Sequence, residues 1–218
     1  GGGGAPADSR CLPADYDGSA VYVRSDGDDA NAGTKDAPVR TFARAFEIRA
    51  SGQDVRVFGG TYTEKLLVSQ SGTVDSPIRV LPVGGDKVIL DATGKAAGKP
   101  IDITGDFVHV QGFESKSSGN QCVDITGNDV VLCHVDAHDC ESHGIQIGGQ
   151  RVWVEGNAIH NAVLENEGAP AGQGWGSGLK VRFGGEEVTL VRNRVYHNWG
   201  EGVAVTRGVN VVVRENLS

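Results

Sequence analysis

Between residues 138 and 201 the chain concentrates the side chains that carry protons and bind metals. HDCESHG, residues 138 to 144, holds His138, Asp139, Glu141 and His143; His160 follows, and HNWGE, residues 197 to 201, supplies His197, Trp199 and Glu201. AVLENEGAPAGQGWGSG, residues 162 to 178, adds Glu165, Glu167 and Trp175, and Lys180 and Arg182 come directly after it. Imidazoles and carboxylates together hold divalent ions, while indole faces stack on sugar rings through their C–H surfaces. A lysine two residues from an arginine suits removal of the proton beside a carboxylate, which needs a base and a cation on the acid group. The expected catalytic groups are therefore Lys180 as base, Arg182 as carboxylate clamp and His143 beside them. Trp175, Trp199, His138, His160 and His197 are expected to contact substrate, and Asp139, Glu141, Glu165, Glu167 and Glu201 to hold a metal ion.

Such residues can meet only if the chain places them on neighbouring elements, and a repeat does so. IDITGDFVHVQGF (101–113), VDITGNDVVLCHV (123–135), IQIGGQRVWVEGNAI (145–159), LKVRFGGEEVTLVRNRV (179–195) and VAVTRGVNVVVRENL (203–217) share one pattern. The steps at Ile103, Ile125 and Ile147 lie 22 residues apart, and the next fall at Val181 and Val205. Two alternating runs flank a glycine corner in each unit, so alternate residues share a face as in a strand. One unit cannot cover its own apolar face. Stacking units at the interstrand distance of about 4.8 Å turns Val108/Val130/Val152/Val188/Val211 and Val110/Leu132/Val154/Leu190/Val213 into internal rows. The predicted fold is all-β, a right-handed parallel β-helix.

On that register Asp102, Asp124, Gln146, Lys180 and Ala204 form one outward column, and Thr104, Thr126, Gly148, Arg182 and Thr206 the next. Asn157, Asn193 and Asn216 each follow a strand anchor by three positions and are expected to stack as a structural ladder. Segments 54–72, 77–82 and 87–94 supply two earlier coils. TFARAFEIRAS (41–51) reads as an amphipathic helix capped by Thr41, with Phe42, Ala45, Phe46 and Arg49 on one face, closing the N-terminal end of the solenoid. In the loop before it, Asp26, Asp28, Asp29 and Asn31 read as an Asx-rich turn. The division is an extended or disordered tail over 1–20, a strand, loop and capping helix over 21–53, and coils over 54–218. The last coil, NVVVRENLS, carries no closing cap, which predicts a continuing chain or end-to-end self-association.

Composition narrows the partners. Among 218 residues, 39% are hydrophobic and 33 are glycines scattered between apolar residues, which fits many tight turns around one core. A net charge of -8 without a basic run disfavours nucleic acid, and no stretch approaches a membrane span. The chain contains no Met, and with GGGGAPADSR at its front it reads as having lost a leader. Its four cysteines, Cys11, Cys122, Cys133 and Cys140, have no metal-finger spacing and favour disulfides, hence secretion to the cell exterior. Cys122 with Cys140 is the most reachable pair; Cys133 either joins Cys11 or stays a free thiol.

YVRSDGDDANAGTKDAPVRTFARAF, VFGGTYTEKLLVSQSGTVDSPIRVLP and the coil series resemble the N-terminal half of secreted right-handed β-helix proteins of the polysaccharide lyase type, including the family-nine pectate lyases. The resemblance implies a polysaccharide partner, lyase or epimerase action on an acidic polysaccharide, calcium as the ion and no organic cofactor. In that family aspartates that bind calcium lie where GSGLKVRFGG and HNWGEGVAV stand here. The corresponding positions are Gly176 or Ser177, then Gly200, Glu201 and Ala204, so most of that carboxylate set is missing. The alternative reading is a non-catalytic glycan-binding, surface or filament-forming β-helix protein.

Overall fold

Alternating Val and Ile cannot satisfy themselves within one strand, and the chain winds until each row meets its copy on the next turn. A computed structural model describes residues 8–13, 15–95, 98–168 and 176–217. Each coil gives one strand to each of three parallel sheets, as in Val108–Gln111, Phe113–Lys116 and Val123–Ile125. We name them sheet A, with eight strands from Ala20–Val23 to Val212–Arg214, and sheets B and C, with six strands each. The architecture is a right-handed parallel β-helix.

The predicted rows hold. Val110, Leu132, Val154, Leu190 and Val213 are partners in successive coils of sheet A, and Ile103, Ile125, Ile147, Val181 and Val205 in sheet C. All are fully buried except Val205 and Val213 on the last coil. Burying each such side chain contributes about 1.5–3 kcal/mol, so the rows are the main stabilising force.

Two corner devices set the period. A Cβ on Gly127 would stand 1.9 Å from the carbonyl oxygen of Gly105, and one on Gly149 would stand 1.9 Å from that of Gly127, so only glycine fits this corner. Between sheets A and B a single left-handed residue turns the chain: His134, Gly156, Arg192 and Glu215 have φ of 50, 66, 57 and 57°. The next residue in the later coils is the predicted asparagine. Asn157 Nδ2 donates to Asn193 Oδ1 at 2.8 Å and Asn193 Nδ2 to Asn216 Oδ1 at 2.9 Å, while the same oxygens accept the backbone N–H groups of Asn157 and Asn193.

The sequence pattern showed two strands per coil, and the structure has three. His138 and Asp139 lie within the strand Asp136–Cys140 and His160 within Ala158–Ala162, where a bend was expected. The inward residues of this third strand include Ser115 and Ala137, too small or too polar to read as a hydrophobic run.

The capping helix is Phe42–Ile48, shorter than the periodic stretch, so Arg49 stands just past its end. Thr41 accepts the N–H of Arg44, and Asp29 accepts the N–H groups of Arg40 and Thr41, so the acidic loop organises the cap. Phe42, Ala45 and Phe46 close the apolar interior. Described residues before Ala20 cross the outer face of sheet A, tied by a disulfide between Cys11 and Cys133 and by the Ser9 hydroxyl and Arg10 N–H on Glu155. Cys122 pairs with Cys140. Among the described residues no helix is long and apolar enough to cross a membrane.

Candidate functional site

Sheet C carries the catalytic candidates. Leu67, Asp102, Asp124, Gln146, Lys180 and Ala204 are register partners along its outer face, the column from Asp102 to Ala204 being the one predicted. The lower rungs are charge-paired: Lys65 Nζ lies 3.0 Å from Asp102, and Lys99 pairs with Asp124. Higher up the balance changes. Among the described residues, neither Lys180 nor Arg182 has a carboxylate within 4.0 Å. The Arg182 guanidinium lies over Gly148, whose added Cβ would be 2.8 Å from its central carbon, and its Nε is buried without a hydrogen-bond partner.

His143 sits beside them, 9% exposed. Its Nδ1 accepts the N–H of Ser177 at 3.0 Å, which assigns the proton of the neutral ring to Nε2. Burial, reinforced by the positive charge of Lys180, holds this imidazole below its ordinary pKa. The neutral ring of His143 thus offers a donor at Nε2, beside the strand that carries Lys180. The Ser177 hydroxyl in turn donates to Glu201 at 3.3 Å.

The other predicted residues lie elsewhere. His138, His160 and Tyr196 stack through successive coils of sheet B with centroids 4.9 and 5.0 Å apart, so their faces cover one another and only edges meet solvent. His197 meets Tyr196 edge-on at 5.2 Å, and Trp199 is half exposed. Trp175 lies outside the described residues. At the bend from sheet B to sheet C a cleft of about 460 Å³ is lined by Ser117, Ser118, Asp139, Glu141 and Leu164, among others. Glu165 and Glu167 are exposed on a short turn beside Glu141. Asp139, Glu141, Glu165, Glu167 and Glu201 do not converge: among the described residues, the sets of three potential ligand atoms within 4.8 Å of one another are Cys11/Cys133/Glu155 and Glu114/Asp136/His138.

Sequence reasoning missed Ser177 as the partner of His143, Tyr196 in the ring stack, and the lysines on Asp102 and Asp124. Tyr196 was legible in principle, standing over His160 once the insertion at 162–178 is discounted. Lys65 and Lys99 lie outside the alternating runs and carried no signal.

A family model described as the Pel9A-like, right handed beta helix region matches residues 21–216. The chain is 39% identical over 152 residues to protein YwoF of Bacillus subtilis, covering 68% of this chain and 28% of that one. It is 34% identical over 85 residues to pectate lyase PEL9 of Emericella nidulans, covering 38% and 20%. Among solved structures, the crystal structure of pectate lyase Pel9A superposes with a TM-score of 0.74 at 19% identity, covering 86% of this chain and 50% of that chain. The chain thus spans about a fifth to a quarter of the length of these two curated relatives.

Proposed function

The chain belongs to the Pel9A-like right-handed β-helix family, and from that premise we propose that it binds an acidic polysaccharide on the outer face of sheet C and cleaves or epimerises it there. The observation that carries this reading is the pair Lys180 and Arg182, two neighbouring cations with no carboxylate within 4.0 Å among the described residues, beside His143 with its Nε2 donor. A uronate carboxylate supplies the missing negative charge: Arg182 clamps it and the Nε2–H of His143 donates to it. Lys180 is the base that takes the proton from the carbon bearing that carboxylate. In elimination the C–H electron pair becomes the new carbon–carbon double bond, the glycosidic C–O bond breaks and the departing oxygen takes a proton from solvent; in epimerisation solvent delivers a proton to the face opposite Lys180.

The calcium expected from the family resemblance does not fit the residues present. Calcium takes six to eight oxygen ligands. Of the positions concerned, Gly176 and Gly200 offer no side-chain oxygen, Ala204 is apolar, and the Ser177 hydroxyl is fully buried against Glu201. One carboxylate remains, and Lys180 is the register neighbour of Ala204. On this reading the charge a metal would supply comes from Lys180 and Arg182. The two disulfides fit an oxidising, extracellular location.

Incubation with pectate, alginate and chondroitin, following the ultraviolet absorbance of the unsaturated product, tests the lyase version. One of the three is expected to yield product, and Lys180→Arg, which keeps the charge but cannot act as a base, is expected to bind without turnover. Silence on all three removes elimination.

A further inference from the structure

The outer face of sheet B holds a cluster that the sheet C chemistry does not use. Glu114 and Asp136 are register partners on adjacent coils, His138 stands two residues beyond Asp136, and His160 is its partner one coil higher. The ligand atoms of Glu114, Asp136 and His138 lie within 4.8 Å of one another. His138 Nε2 is 3.4 Å from Glu114 Oε1, and His160 Nε2 is 3.1 Å from Asp136 Oδ1.

Those separations suit a metal. Zinc holds nitrogen and oxygen ligands at about 2.0–2.1 Å, so neighbouring ligand atoms of a tetrahedral site stand roughly 3.3 Å apart. His138 is also oriented as a metal ligand would be. Its Nδ1 lies 2.9 Å from Asp139 Oδ2, a carboxylate placed to hold the ring proton when Nε2 ligates a metal, and Nε2 faces Glu114. The surrounding charges are already engaged. Lys87 holds the other Glu114 oxygen at 2.7 Å, and Lys116, the register neighbour of His138, is turned to Asp91 at 3.3 Å. The ring stack holds His138 and His160 parallel on adjacent coils, centroids 4.9 Å apart.

We propose that Glu114, Asp136 and His138, joined by His160, form a binding site for a zinc-type divalent cation that ties three successive coils together. Asp139 is its positioning residue, fixing the His138 ring. Imidazole with carboxylate favours zinc over calcium, which prefers oxygen ligands alone.

Cobalt(II) added to the purified, metal-stripped chain is the direct probe, because tetrahedral coordination gives it an intense visible absorption. The expected result is that band, its loss on adding zinc, and a melting temperature that rises with zinc concentration. Glu114→Gln and His138→Ala are expected to abolish the band. Asp139→Asn, which touches no metal, is expected to weaken zinc affinity about 10–100-fold while leaving the fold by circular dichroism unchanged. Absence of the cobalt band in the unaltered chain, or unchanged zinc affinity in both Glu114→Gln and His160→Gln, overturns the proposal. None of these readouts involves sheet C, so they stand or fall separately from polysaccharide turnover.

Discussion

A methyl group on Gly148 would collide with one thing that matters, the guanidinium of Arg182, at 2.8 Å. Because that group is the far end of a flexible side chain, Gly148→Ala is expected to leave stability within about 0.5 kcal/mol and to displace the clamp. Affinity for a carboxylated oligosaccharide is expected to fall about tenfold or more, the loss of one charge-assisted contact; calorimetric titration with trigalacturonate measures it. His143 makes a second prediction. Its folded pKa is depressed by burial, so the unfolded chain takes up a proton at this site before the folded chain does. Its contribution to stability is therefore present above the ordinary imidazole value of about 6.5 and is lost as pH falls below it. His143→Gln should flatten that limb of the denaturation midpoint against pH, and an unchanged limb would contradict the assignment. Lys180 and Arg182 were legible as a pair because their spacing of two places them on one face of a strand. The role of His143 was not legible, since it depends on an N–H from Ser177, beyond a long insertion.

The asparagine corner shows what an element owes to the stack. Asn193 Oδ1 accepts the N–H and the Nδ2 of Asn157, and its own Nδ2 donates to the Val154 carbonyl and to Asn216. Asn193→Ala leaves several of these buried groups unpaired, at about 1–3 kcal/mol each less partial relaxation, so a loss of roughly 3 kcal/mol is expected in denaturant unfolding. A loss below about 1 kcal/mol would mean that the ladder is incidental. Three asparagines at matched offsets from strand anchors revealed this corner in advance. Sheet B stayed hidden at the same scale: its inward row runs Leu90, Ser115, Ala137, Ile159 and Val195, so two of the coils lack the Val or Ile that would have announced a strand. The helix read too long for a related reason: Arg49 fits the helical period, but its φ and ψ of -62 and 124° already belong to the extended chain leading into Asp54–Val57.

At the scale of the molecule, the solenoid converts distance in sequence into adjacency in space, so residues a coil apart build a surface that no single segment contains. The period, the internal rows and the outward columns were readable because every coil repeats the same physical requirement. For Cys133 the sequence left two alternatives, Cys11 or a free thiol, and the structure has the first; the partners of Glu155 were not readable, because the arm that crosses sheet A comes from residues 9–11, far from it in sequence. Under the proposed function, a chain of net charge -8 recognises a polyanion through a local reversal of sign, supplied by Lys180 with Arg182. Binding of polygalacturonate in the presence of excess EDTA tests it most directly, comparing the unaltered chain with Lys180→Ala/Arg182→Ala. The account predicts binding that persists without calcium and disappears in the double variant; binding that requires calcium, or that survives the loss of both cations, would contradict it.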